Sequence, residues 1–161
     1  MPTGNDIEGA TGRTAPTTVD LGPLPGYLGY QVRQAQAAVF RNFEAITRDT
    51  GVTPGEFSLL NLVDANPGIN QISLVRVYRL DKSTLSHSIK RLIRRDLIQR
   101  TRDTDDGRYY GLWLTRSGRA VLNQVTGRVE AQERRMAAAL KSGEREKLLR
   151  LLRKVTHAFD R

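Results

Sequence analysis

Nine cationic side chains fall between Arg76 and Arg102: Arg76, Arg79, Lys82, Lys90, Arg91, Arg94, Arg95, Arg100 and Arg102. Only Asp81 and Asp96 oppose them, so this segment holds +7 of the chain's +9 formal net charge. Charge concentrated in this way is an electrostatic footprint for a polyanion. It is also what a solvated basic face looks like, and charge alone does not choose between the two. The residue types between the cations add a second signal. Ser83, Thr84, Ser86 and His87 join Lys82, Lys90 and Arg91 in a set where every side chain donates a hydrogen bond or carries positive charge, with no acid among them. The major groove of B-DNA admits a helix and displays a distinct donor and acceptor pattern for each base pair. Ser83, Thr84, Ser86, His87 and Lys90 are therefore expected at base edges, and Lys82 and Arg91 at phosphates, which set register and affinity. His87 would also serve as an ordinary structural histidine.

Other chemistries find little support. The 161 residues contain no cysteine and only two histidines, which excludes a disulfide framework, a thiolate zinc site and a cysteine-based oxidant sensor. No glycine-rich nucleophile motif, phosphate-cradling loop or HExxH pair occurs, so no enzyme, metal or cofactor is expected. No apolar run approaches the ~18 residues of a membrane helix, and the N-terminal residues do not resemble a secretory signal. The expected location is the cytoplasm.

The elements that must position the basic segment can be read from periodicity and caps. Residues 1–22 are small, polar and rich in Gly, Thr and Pro, and are expected to be a flexible tail. A first helix is predicted from about Pro25 to Thr47, with Tyr30, Val32, Ala35, Val39, Phe40 and Phe43 on one stripe. Thr53-Pro54-Gly55-Glu56 reads as a capping box with proline at the first helical position, and Asn66-Pro67-Gly68 ends that second helix. Asn70 caps a short third helix. Asp81 caps a fourth, residues 82–95, whose Leu85, Ile89, Leu92 and Ile93 recur at helical spacing. A short helix, a tight turn at Arg79-Leu80-Asp81 and a longer helix make a helix-turn-helix.

A hairpin follows, with strands at Leu97–Arg102 and Tyr109–Thr115 around the turn-rich tip Asp103-Thr104-Asp105-Asp106-Gly107. A hairpin in this place is a wing. Thr115 caps a long helix through Val121, Leu122, Val125, Val129 and Met136, broken at Ser142-Gly143. A last helix carries Leu148, Leu149, Leu151, Leu152, Val155 and Phe159. With 39% hydrophobic residues the core is lean, and such chains often complete it by dimerising. The expected fold is mainly α: a winged helix-turn-helix at 53–115, with 23–52 and 116–161 as a helical dimerisation layer.

The stretch LDKSTLSHSIKRLIRRDLIQRTRDTDDGRYYGLWLTRSGRAVL resembles the centre of MarR-family transcriptional regulators. These show a "d-x-s-t-v-s/t" start to the recognition helix, then "L-x-x-x-G-L-I-x-R", "D-x-D-x-R" and "LTxxG". Leu74 to Gly118 follows that order. Two positions depart from it. Asp96 stands where glycine is usual after the recognition helix, although Asp is among the residues that tolerate a left-handed cap. Arg79 stands where a small turn residue is common.

Several expectations come from the resemblance alone. It implies that Arg108 enters the minor groove, oriented by Asp106, which accords with the attraction of arginine to a narrow groove; an ordinary acidic turn with a stray arginine is the other reading. Arg100 and Arg102 would flank it as phosphate contacts. It further implies a homodimer on double-stranded DNA with an inverted repeat, its half-sites one helical turn apart, and repression relieved by an effector. Leu28 to Gln36 also resembles a subgroup linked to aromatic-acid catabolism, including repressors released by hydroxycinnamoyl-CoA thioesters such as p-coumaroyl-CoA. The implied effector is then a small anionic aromatic compound or aromatic acyl-CoA, with Tyr27, Tyr30, Arg33 and Arg41 as its candidate contacts; Arg33 and Arg41 equally suit a surface or dimer interface. An architectural or weakly specific DNA-binding protein without an effector is the alternative that the charge alone would satisfy.

Overall fold

The computed structural model describes residues 19–78, 82–102 and 110–159. The backbone divides inside the first helix, after Gln36, and the two parts are taken separately. Up to Gln36, a 3-10 turn at Leu24–Gly26 precedes α1, Leu28–Ile46. The helix starts later than Pro25 because Tyr27, at φ −89° and ψ 128°, is extended and separates the 3-10 turn from α1. Gln31 Nε2 donates to the Pro25 carbonyl at 2.7 Å, and Gln34 Nε2 donates to the Tyr30 hydroxyl at 2.6 Å.

From Ala37 onward the core gathers around α2, Pro54–Ala65. Its start is the expected capping box: Thr53 Oγ1 accepts from the Glu56 N–H at 3.2 Å, and Glu56 Oε2 accepts from the Thr53 N–H at 3.1 Å. Leu59, Leu60 and Val63 of α2 pack with Phe43, Val52, Leu74, Leu85, Ile89 and Leu92, and with Leu97, Ile98, Leu112, Leu122 and Val125. The buried set thus links the end of α1 to α3 (Gln71–Tyr78), α4 (Lys82–Arg94), the wing and the first half of α5 (Arg116–Ala138). Burying a leucine or isoleucine contributes about 1.5–3 kcal/mol, which makes this cluster the main support of the helix-turn-helix. Asn70 caps α3 as expected, its Oδ1 accepting from the Ser73 N–H at 2.9 Å. The Arg79–Asp81 turn, including the Asp81 cap, lies outside the described residues.

The wing is larger than a hairpin. A two-residue strand, β1 (Ile69–Asn70), pairs antiparallel with β3 (Tyr110–Leu114), which pairs in turn with β2 (Ile98–Arg102), giving the order β1-β3-β2. The register sets Ile69 against Leu112 and Arg100 against Leu112 from the other side. Two residues are too few to show a period of two, so β1 is invisible to sequence patterning. Gly68 makes the approach possible: its N–H donates to the Leu112 carbonyl at 2.9 Å, its φ is +82°, and a Cβ there would stand 3.0 Å from the Trp113 ring.

Asp96 has φ +54° and closes α4 in the left-handed conformation. The Leu97 N–H reaches the Leu92 carbonyl and the Asp96 N–H the Ile93 carbonyl, both at 2.9 Å. This is the Schellman pattern, with the apolar pair Leu92 and Leu97 buried beneath it. Thr115 then joins the wing to α5: its Oγ1 donates to the Asp96 carbonyl at 2.6 Å and accepts from the Gly118 N–H at 2.8 Å. A last helix, α6 (Glu144–His157), follows Gly143 at φ +78° and buries none of its residues.

Candidate nucleic-acid interface

The apolar positions of α4 face the core, with Leu85, Ile89 and Leu92 buried. That orientation leaves Lys82, Ser83, Thr84, His87 and Lys90 exposed and Ser86 half-buried. The candidate base-reading residues therefore share the outer side of one helix. His87 Nδ1 lies 2.9 Å from the Ser83 carbonyl oxygen. Because a carbonyl only accepts, that geometry puts the ring hydrogen on Nδ1 in the neutral form and leaves Nε2 as an acceptor.

Arg91 is placed differently from its neighbours. Its guanidinium turns onto the start of α2, with Nε 3.0 Å from Glu56 Oε1 and Nη2 donating to the Gly51 carbonyl at 2.8 Å. The Nε contact is ionic, since its alignment does not make a hydrogen bond to the buried Oε1. Sequence reasoning saw Glu56 only as a helix cap. Nothing in the local pattern signals that a residue 35 positions away would share it.

At the base of the wing, the Arg100 guanidinium lies 4.3 Å from the centre of the Tyr110 ring, a cation–π contact across neighbouring strands. A groove of about 520 Å³ runs beside it, with Ile72, Val75 and Tyr110 among its walls and Arg76, Lys82 and Arg100 supplying cations. Arg102 is described in its backbone alone, as the β2 residue opposite Tyr110. Asp106 and Arg108, expected at the wing tip, lie outside the described residues. Among the candidate effector contacts, Tyr27 and Arg33 are exposed and Tyr30 is half-buried with its hydroxyl held by Gln34. Arg41, beyond the division in α1, is exposed.

A second ion pair secures the loop after α1 from α5. The Arg128 guanidinium straddles the Asp49 carboxylate, with Nη2 to Oδ2 at 2.8 Å and Nη1 on Oδ1, and also donates to the Ile46 carbonyl at 2.7 Å. Hydrogen bonding from Arg128 holds the Asp49 carboxyl at about 2, below its ordinary 3.8, and the carboxylate in turn raises the Arg128 pKa. Further along α5, the buried Gln132 donates to the Val39 carbonyl at 2.8 Å. A polar residue within an apolar stripe offered no sequence signal for that role.

Among the described residues no cluster of His, Cys, Asp or Glu could hold a metal ion, and no helix is long and apolar enough to cross a membrane.

The MarR family pattern matches residues 52–110, from the start of α2 to the first residue of β3. The chain is 33% identical over 149 residues to a putative transcriptional regulatory protein for the hcr operon of Thauera aromatica, covering 89% of this chain and 90% of that one. Among solved structures it is similar to the transcriptional repressor CouR bound to a 23-mer DNA duplex, at 33% identity and TM-score 0.80 over 87% of this chain and 99% of that one. The same repressor bound to p-coumaroyl-CoA aligns at 31% identity and TM-score 0.80, over 88% of this chain and all of the other. A winged helix-turn-helix core with a three-stranded wing and an acid-free outer face on α4 accords with these likenesses, and the chain belongs to the MarR family of transcriptional regulators.

Proposed function

We propose that this chain binds an inverted-repeat DNA site as a homodimer and represses genes for the catabolism of an aromatic acid or its CoA thioester until that compound releases it. The observation that carries the DNA reading is the outer side of α4. Lys82, Ser83, Thr84, Ser86 and Lys90 present donors and positive charge, and His87 its Nε2 acceptor, without an acid, on a helix anchored by three buried apolar residues. Residues 53–115 are assigned to DNA, with Arg100, Arg102, Asp106 and Arg108 among the proposed contacts. Residues 23–52 and 116–161 are assigned to dimerisation, supported by the uncovered apolar face of α6.

The effector class follows the likeness to CouR with p-coumaroyl-CoA. Tyr27, Tyr30, Arg33 and Arg41 offer rings and cations for an anionic aromatic compound. An effector that prefers a different spacing of the two recognition helices would weaken DNA binding by a coupling of about 1–3 kcal/mol. Such a regulator acts where the DNA is, in the cytoplasm.

The test is fluorescence anisotropy at physiological salt with duplex from the region upstream of the protein's own gene and a scrambled duplex. Two protomers on the native duplex, bound far more tightly than on the scrambled one and released by an aromatic acid or its CoA thioester, are the expected result. Equal, salt-labile binding to both duplexes, with native sites drawn from across the genome, would instead make it an architectural DNA-binding protein.

A further inference from the structure

Arg91 lies in the last turn of α4 and Arg95 just past its end, and both guanidiniums close on the same target. Arg91 Nη2 and Arg95 Nη1 donate to the single Gly51 carbonyl, at 2.8 and 3.1 Å, and Arg95 Nη2 donates to the Thr50 carbonyl. The same two guanidiniums also meet Glu56, whose side chain is only 3% exposed. Its Oε1 is 3.0 Å from Arg91 Nε, and its Oε2 is 3.9 Å from Arg95 Nη1. Gly51 turns the loop at φ +57°, which aims the Thr50 and Gly51 carbonyls together at the helix.

A buried carboxylate needs a compensating charge, and removing one partner of such a pair is strongly destabilising because the other is left uncompensated. A planar guanidinium also fixes direction as well as distance. Two of them on a single carbonyl and a single carboxylate therefore define where α4 sits along and around its axis relative to α2. The outer residues Lys82 to Lys90 ride on the same helix, so their placement in a groove depends on this grip.

We infer that Glu56, Arg91 and Arg95 form a clasp that positions the recognition helix, and that Arg91 and Arg95 are positioning residues for DNA recognition, not phosphate contacts. This rests on the reading of α4 as the DNA-reading helix. Arg128 of α5 grips the same loop at Asp49 and the end of α1 at the Ile46 carbonyl, so one short segment is held from both α4 and α5. Arg91 already engages Glu56 with its Nε and the Gly51 carbonyl with its Nη2, so its charge is compensated within the protein.

The decisive variant is Glu56→Gln in the full chain. Glutamine still serves as the capping-box acceptor for Thr53, so α2 keeps its start while the clasp loses its charge. Removing an acid favours any polyanion electrostatically, and a loss of DNA affinity would then report positioning. Anisotropy across a salt series should show operator affinity reduced about tenfold, scrambled-duplex affinity unchanged or higher, and an unaltered salt slope. Arg91→Lys, which keeps the charge but not the fork, should behave like Glu56→Gln. Hydrogen exchange without DNA should show faster exchange in residues 83–95 and 47–53 of both variants.

Wild-type operator affinity in Glu56→Gln, or a salt slope lowered by about 0.9 in Arg91→Ala with equal losses on both duplexes, would overturn the inference. Unchanged exchange in α4 would overturn it too. A wild-type protein with no preference between duplexes would count against the regulator reading, while the exchange experiment would still decide the clasp.

Discussion

Gly118 and the Leu97 carbonyl are in direct contact: a Cβ at position 118 would stand 1.9 Å from that oxygen. The Leu97 carbonyl is already engaged there by the Thr115 N–H at 3.2 Å. The first turn of α5 thus rests on the link between α4 and β2, and only a residue without a side chain fits between them. Gly118→Ala should force backbone to move and cost at least about 3 kcal/mol. Thermal denaturation would measure this. A variant as stable as wild type would show that the two segments separate without cost.

Asp96 carries the opposite expectation. It holds φ +54° at the end of α4, a conformation disfavoured for residues with a Cβ. Asp96→Gly should raise stability by about 1 kcal/mol, partly offset by loss of the 3.4 Å contact from Ser117 Oγ. Asp96→Val should lower it by about 2 kcal/mol. Urea denaturation of the three proteins side by side gives the order.

The Asp49–Arg128 pair predicts an acid-dependent difference. Asp49 titrates at about 2 when folded and near 3.8 otherwise. A carboxylate with a lowered folded pKa stabilises above its unfolded value, and that contribution fades as pH falls through the folded one. Wild type should therefore melt above Asp49→Asn at pH 5, with the gap narrowing below pH 3.8 and closing near pH 2. The exposed setting of the pair makes the gap small. A gap constant with pH would show that Asp49 acts through something other than its charge.

Two cations proposed to contact DNA should separate by salt dependence. Lys82→Ala should weaken binding to operator and scrambled duplex alike and lower the salt slope by about 0.9. Arg108→Ala should cost more on the operator than on scrambled duplex, as expected of a side chain in a narrow minor groove. Equal losses on both duplexes for Arg108→Ala would remove it from the minor groove.

Leu148 and Leu152 stand one turn apart on α6, each more than 40% exposed. Covered by a second copy, such a row supports a dimer. Leu148→Glu and Leu152→Glu should shift sedimentation toward monomer and weaken operator binding with it. An unchanged dimer would place the interface elsewhere.

Much of this protein was legible because the signals are local. The Thr53–Glu56 box, the Asn70 and Thr115 caps and the tolerance of Asp96 for a left-handed φ each involve residues within a few positions of one another. The 3.6 spacing of Leu85, Ile89 and Leu92 likewise oriented the polar side of α4 before any contact was known. The expectation that this polar side meets DNA comes from residue types alone.

Tertiary structure decided the rest. β1 exists only because β3 offers it a partner. Gly118 is required by a carbonyl 21 residues away, and the separations from Arg91 to Gly51 and from Arg128 to Ile46 are 40 and 82 residues. A basic residue on a helix reads as a phosphate ligand while its surroundings are unknown, and only the packing of α4 against α2 reveals that Arg91 also meets a buried carboxylate. Caps and periodicity arise from neighbours along the chain, so sequence shows them. Charge pairing and close backbone approach arise from neighbours in space, which the chain acquires only on folding.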